Sequence, residues 1–352
     1  MFLHALTTLT LLLASCRPLH AFITHIPPSA PELQYIGRFT SLHQFDMPGT
    51  EIRARVHVSS PSQVTITLSQ QSSSIPLDHS GNSINSHFQA NAFVVYIDHV
   101  RQAPSFNASF STEILQHNNN LPYDFNVTNT PLSEGTHDIR IFKATEAQWN
   151  AGTPTPNYVT FHGFDVIAMR PQPPQLPQLP QLPQLPQLLT PPQLLTPPPL
   201  PTRKIEFVGD SITAGFCNMC DLKDPLTTHT EAYGASWDYQ IGELLHAQVH
   251  TAAWSGLGMV RNCCGGNTTM PHIFSRTLAT VNIDNTWNGS NWIPDVLVIN
   301  LGTNDGGAAT DPHYTYTETY SELIMDAVSR YGNKLQVFLA CGKYFTHKEP
   351  KF

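Results

Sequence analysis

A serine, a glycine and an asparagine, each placed just after an apolar run, are the residues of this chain best suited to chemistry. Ser211 follows Gly209-Asp210 at the end of the run 204–208 (KIEFV). Gly256 lies in Trp254-Ser255-Gly256-Leu257-Gly258, after the run 249–253. Asn304 lies in Gly302-Thr303-Asn304-Asp305, after 295–301 (DVLVINL). A serine hydroxyl attacks an ester carbonyl once a base takes its proton. Three donors suit the oxyanion that results: the serine N–H at a helix start, the N–H of an unencumbered glycine and the amide of an asparagine. Loss of one such donor typically costs about 2.7–4 kcal/mol. Alone, each residue reads equally as a helix cap or a turn. The three work together only if their runs are parallel strands, whose carboxyl ends share one sheet edge.

The surrounding pattern meets that condition. From residue 204 onward, strand-like runs alternate with helical periodicity. Tyr233, Trp237, Ile241, Leu244 and Leu245 predict one helix face, and residues 271–279 a short helix. Tyr316, Tyr320, Ile324, Ala327 and Tyr331 predict another helix, and residues 335–340 a fourth strand. Repeated βα units imply a parallel, doubly wound sheet over residues 204–352. Residues 22–170 read as β throughout. In 51–58, Ile52, Ala54, Val56 and Val58 share one face, with Arg53, Arg55 and His57 on the other. Similar runs at 64–68, 92–97, 138–141 and 158–167 predict an antiparallel sandwich of jelly-roll type, a packed accessory or carbohydrate-binding module. Between the two lies 171–203, built largely of Pro-Gln-Leu triplets. Proline at that density favours polyproline II, so this segment is expected to act as a semi-rigid spacer that joins no core.

A net charge of −8 with only 12% charged residues leaves no basic footprint for nucleic acid or an anionic membrane. The 17 histidines are scattered without metal-ligand spacing, and no P-loop or dinucleotide fingerprint occurs; neither metal nor organic cofactor is implied. Residues 1–21 read as a secretory leader with a short apolar stretch over 6–14. Leu13-Ala14-Ser15-Cys16 also fits a lipoprotein box, which would anchor the chain at Cys16. No other segment is long and apolar enough to span a membrane. A monomeric, secreted protein with sequons at Asn107, Asn126, Asn267 and Asn288 is expected. In that compartment the cysteines suggest bridges between the loop of Cys217 and Cys220 and the loop of Cys263 and Cys264.

The three blocks, GDSIT, WSGLG and GTND, resemble those of the SGNH (GDSL-type) hydrolases. The resemblance is closer to carbohydrate esterase family 2, to which YIGRF at 35–39, Ile52-Arg53-Ala54-Arg55 and WIPDVLVINLGTND at 292–305 are similar. It implies a jelly roll ahead of a flavodoxin-like αβα domain. It also implies that Ser211 is the nucleophile, with Gly256 and Asn304 completing the oxyanion hole and Trp254 and Asp305 as substrate contacts. The substrate class would be acetylated xylan, mannan or a related polysaccharide. The family's base is a histidine in a C-terminal block, and none of His229, His246, His250, His272, His313 and His347 has that context. The expectation is therefore a C-terminally incomplete domain, inactive or severely impaired as 1–352. The competing reading is a non-catalytic carbohydrate-binding protein in which Trp254, Trp287 and Trp292 stack on sugar rings.

Overall fold

Alternation of apolar and polar residues builds the N-terminal unit. The protein is seen in a computed structural model that describes residues 22–72, 91–102, 121–128, 130–147, 156–169, 190–220, 231–263, 265–282, 285–306 and 313–340. The leader, Asn107, residues 170–189, His229, Cys264, Cys341 and His347 lie outside the described residues. The unit's strands are β1 (Phe22–Ile26), β2 (Gln34–Ile36), β3 (Gln44–Phe45), β4 (Glu51–Val58), β5 (Ser62–Ser72), β6 (Phe93–Ile97), β7 (Val100–Arg101), β8 (Tyr123–Asn126), β9 (Gly135–Lys143), β10 (Asn157–Ala168) and β11 (Gln193–Leu195). They form two antiparallel sheets, one ordered β1-β10-β5-β8 and the other β11-β4-β9-β6-β7. Ile52, Ala54, Val56 and Val58 of β4 share a buried core with Val64, Ile66 and Leu68 of β5, which lies in the other sheet. The opposite face of β4 carries polar cross-strand pairs. Arg55 and Asp138, register partners on β4 and β9, join through two hydrogen bonds of 2.7 and 2.6 Å.

The C-terminal unit is a parallel sheet of β12 (Arg203–Gly209), β13 (Ala247–Ala253), β14 (Val296–Asn300) and β15 (Gln336–Leu339), in the order β13-β12-β14-β15. Its helices are α1 (Ser211–Ala214), α2 (Trp237–Leu245), α3 (Met270–Phe274) and α4 (His313–Tyr331). Successive residues of β12 point to opposite faces. Phe207 meets Trp237 of α2 edge to face at 5.2 Å, while Val208 packs in a core with Ile273 and Phe274 of α3 and Leu323, Ala327 and Tyr331 of α4. Helices therefore cover both faces. Among the described residues, no helix is long and apolar enough to cross a membrane.

Three expectations are corrected. The proline segment is not wholly a spacer. Gln193, Leu194 and Leu195 pair with β4 as β11, and Pro192 and Pro197 are buried. Strand pairing needs N–H donors, and this break in the repeat supplies them. The buried face of α2 is Asp238 and Gly242, whereas Leu244 is 79% exposed and Tyr233 lies in a preceding 3₁₀ turn. Gly242 lets the helix approach Val249 so closely that a side chain there would collide with it. The cysteine bridge joins Cys217 to Cys220 within one loop, with Cα atoms 4.8 Å apart, and does not cross to Cys263, which is disulfide-bonded elsewhere.

The two units share their interior. Met47 and Ala147 of the N-terminal unit belong to the core of the parallel-sheet unit, and Tyr233 packs with Val94 and Phe142 in a third cluster. Arg38 crosses the seam. Its guanidinium, 1% exposed, donates to Glu206 Oε1 of β12 at 2.8 Å and to the carbonyls of Phe274 and Arg276 at 2.8 and 2.5 Å. Removing one partner of a buried pair strands the other charge, which typically costs about 3–5 kcal/mol. Arg38→Met is therefore expected to lower unfolding stability by about that amount in urea titrations, with Arg38→Met/Glu206→Leu recovering most of the loss. A single variant within about 0.5 kcal/mol of the parent would show that the seam does not depend on this pair.

Candidate active site

Parallel register places the three blocks at one edge. Gly209 of β12 pairs with Ala253 of β13 and with Asn300 of β14, so all three strands end level. Ser211 stands two residues beyond Gly209, Gly256 three beyond Ala253 and Asn304 four beyond Asn300. Each of the three is half-buried. Gly209 is required by packing, since a side chain there would run into Thr213.

Ser211 is the first residue of α1. Asp210 caps that helix, accepting the Ile212 N–H at 3.0 Å, and Gly215 ends it at φ 85°. No described residue hydrogen-bonds the Ser211 hydroxyl. Gly256 has φ 81°, a conformation side chains resist, which accounts for glycine at this position. Its carbonyl accepts the Cys263 N–H at 3.0 Å, and its own N–H donates to no described residue.

Asn304 ties the blocks together. Its Nδ2 donates to the Leu257 carbonyl at 2.7 Å and, more weakly, toward Asp210 Oδ2 at 3.5 Å. The amide expected to face an oxyanion is thus partly engaged with the other two loops. Burial pushes the Asp210 carboxyl up to about 6, reinforced by the nearby Asp305 carboxylate and opposed by the Ile212 N–H and the Thr303 side chain.

Trp254 and Asp305 are corrected as substrate contacts. Trp254 is 0% exposed and packs in the core. Asp305 is buried beneath the Gly256 loop, where its carboxylate accepts the N–H groups of Met259, Val260 and Arg261 at 2.8, 2.8 and 3.0 Å. Its role is to shape the loop. Trp292 is also buried, stacked on His250 at 3.4 Å, and Trp287 lies against the Arg38 guanidinium at 5.2 Å. Asn126, Asn267 and Asn288 are exposed, as sequons require.

His246, His250 and His272 do not bond to Ser211. His246 caps the end of α2 just before β13 begins, at the opposite edge of the sheet. His250 is buried in the middle of β13, and that burial holds its pKa well below the usual range. The ring of His272 pairs with Thr269 Oγ1 at 3.1 Å. Sequence reasoning missed one residue of the site: Glu146, whose carboxylate accepts the Ser255 N–H at 2.5 Å. It belongs to the N-terminal unit, 109 residues away in sequence, and no local pattern marks it.

Residues 207–350 match the GDSL-like Lipase/Acylhydrolase family. The chain is 29% identical over 222 residues to the cellulase/esterase CelE of Acetivibrio thermocellus, covering 60% of this chain and 23% of that protein. It is 30% identical over 129 residues to an acetylxylan esterase / glucomannan deacetylase of Cellvibrio japonicus, covering 36% of each. The chain thus spans well under half the length of these curated relatives. In fold it is similar to a family two carbohydrate esterase from Cellvibrio japonicus, with a TM-score of 0.63 at 19% identity over 91% of this chain and 78% of that one. It is also similar to a family two carbohydrate esterase from Clostridium thermocellum, solved in complex with cellohexaose, with a TM-score of 0.62 at 22% identity over 88% and 77%.

The raised Asp210 carboxyl gives a test of the site's electrostatics. A folded-state value of about 6 against an ordinary 3.8 means that the folded protein holds this proton more tightly than the unfolded chain. The associated stability is present below about pH 4 and lost as pH rises through 6. Asp210→Asn does not titrate, so it should gain on the parent by about 2.4 kcal/mol between pH 4 and pH 7 in denaturant unfolding. A gap that stays constant with pH would mean that Asp210 is not desolvated in solution.

Proposed function

We propose that this chain, whose residues 207–350 match the GDSL-like Lipase/Acylhydrolase family, is a secreted serine esterase that removes O-acetyl groups from xylan, mannan or a related polysaccharide. The observation that carries this reading is the level ending of β12, β13 and β14, which brings Ser211, Gly256 and Asn304 to one edge. In the proposed reaction, Ser211 Oγ bonds to the acetyl carbon and its proton passes to a base. The carbonyl electrons move to oxygen, held by the N–H groups of Ser211 and Gly256 with the Asn304 amide beside them. Collapse expels the sugar hydroxyl and leaves an acetyl-serine, which water cleaves to acetate. The curated relatives named above, an acetylxylan esterase / glucomannan deacetylase among them, support acetylated polysaccharide as the substrate class.

The N-terminal sandwich is read as a jelly roll and the whole as a monomer needing no cofactor. Burial of Trp254 and Trp292 weighs against a sugar-stacking platform, so the non-catalytic reading is not favoured. The reaction does need a proton acceptor, and none of His246, His250 and His272 bonds to Ser211. Acetate release by 1–352 is therefore expected to be slow.

The test is acetate release from acetylated xylan by the full chain and by Ser211→Ala, each with and without added imidazole. The parent is expected to release acetate slowly, to be accelerated at least about tenfold by imidazole acting as a free base, and to lose both rates in the variant. Release unchanged in Ser211→Ala would remove the serine mechanism. Rapid, Ser211-dependent release without imidazole would instead assign the base to His229, His313 or His347.

A further inference from the structure

Glu146 has no part in the acyl transfer as written, yet it reaches the loop that carries the oxyanion donor. Its main chain is held at both ends. The Glu146 N–H donates to Glu231 Oε1 at 2.6 Å, and its carbonyl accepts from Lys143 Nζ at 2.6 Å. Lys143, fully buried, also donates to the Thr145 carbonyl at 2.5 Å. So fixed, the Glu146 side chain crosses the seam. One carboxylate oxygen takes the Ser255 N–H, while the other is buried with no partner among the described residues. The next amide along the chain is that of Gly256.

The Gly256 loop is therefore clamped from two sides. Asp305 of the parallel-sheet unit gathers the N–H groups of residues 259–261, and Glu146 of the N-terminal unit takes that of Ser255. Only the Gly256 N–H between them is left without a described acceptor. We propose that Glu146 is a positioning residue that aims the Gly256 N–H at the reacting oxygen, so that the N-terminal unit completes the esterase site. The catalytic consequence rests on the esterase reading; the clamp does not.

What the loop needs from Glu146 is an acceptor, not a charge. The charged groups acting on Glu146 are Lys143, Glu231 and Asp210, and Asp46 acts in turn on Lys143. Burial pushes the Glu146 carboxyl up to about 7 and the Glu231 carboxyl well up also, and it brings Lys143 down to about 8. Protonated or not, Glu146 keeps an oxygen facing Ser255. A glutamine would keep one too.

The experiment compares the full chain with Glu146→Ala and Glu146→Gln in two measurements. The first is amide hydrogen exchange over residues 254–262. The second is affinity for a small alkylboronic acid, whose tetrahedral adduct on Ser211 uses the Gly256 N–H without requiring turnover. Glu146→Ala is expected to speed exchange at residues 255–257 by about tenfold or more, leaving β4 and β9 protected. It should also weaken boronate binding by about tenfold or more, with Glu146→Gln near the parent in both. Unchanged exchange or unchanged boronate binding in Glu146→Ala would overturn the proposal, and so would a Gln variant that behaves like Ala. A parent that binds no boronate, while exchange responds as expected, would overturn the Ser211 reading and with it the catalytic role of the clamp.

Discussion

The buried contact between Arg38 and Glu206 is the constraint on which the rest of this structure turns. A guanidinium taken out of water is tolerated only if its charge is matched and its donors are used. Arg38 meets most of this demand inside the other unit, with Glu206 for the charge and two carbonyls for Nη1, while its Nε is buried without a partner among the described residues. Glu206 lies on the strand that leads to Ser211. Fixing Arg38 there fixes the N-terminal sandwich against β12, and the seam follows from that. Met47 and Ala147 fill the second core, and Asp46 accepts the N–H groups of Ala279 and Thr280 at 2.9 Å each. The sandwich is part of the wall of the site. It is not a module hung beside it.

Carboxylates at the sheet edge bind the backbone. Asp210 caps α1, Asp305 collects three loop amides and Glu146 a fourth. Each acid takes up amides that would otherwise go unsatisfied in a buried loop. Among the described residues, the Ser211 hydroxyl and the Gly256 N–H have no hydrogen-bond partner. An oxyanion beside several carboxylates would be repelled if those acids were bare. Saturating Asp305 with N–H groups, and holding Asp210 and Glu146 nearer neutrality by burial, lessens that repulsion.

The convergence of the three loops was legible in the sequence and the seam was not, for a physical reason. A serine, a glycine and an asparagine at the ends of apolar runs announce themselves, because strand period and turn chemistry are local properties. The alternation of β4 was equally plain and appears as read. Arg38 and Glu206 are 168 residues apart, and Glu146 and Ser255 are 109 apart. Glu206 interrupts an apolar strand, and a lone buried acid in such a run was the available sign that a cation must come to meet it. The face of α2 was misread because Leu244 and Leu245 have the right hydrophobicity, whereas a glycine and a buried aspartate made the closer contact. Trp254 and Asp305 were misread because adjacency to a site residue does not reveal which way a side chain points.

The proline segment shows how the seam is kept in place. A proline has no N–H to give, but its carbonyl is intact. Outside β11 the described part of this segment is held through carbonyls alone in the hydrogen bonds seen. Thr190 accepts from Ser59 at 2.8 Å, Pro192 from Thr24 at 3.3 Å, Pro198 from Gln34 at 3.0 Å and Pro201 from Gln248 at 2.5 Å. The first three donors belong to the N-terminal unit and the last to β13. A proline-rich strap is well suited to this, because its φ angles are already restricted and less conformational entropy is lost on docking. It runs from one unit to the other along a surface of side-chain donors and delivers the chain to Arg203 at the start of β12. The strap and Arg38 therefore act on the same strand, one at its entry and one in its middle, and Ser211 inherits its position from both.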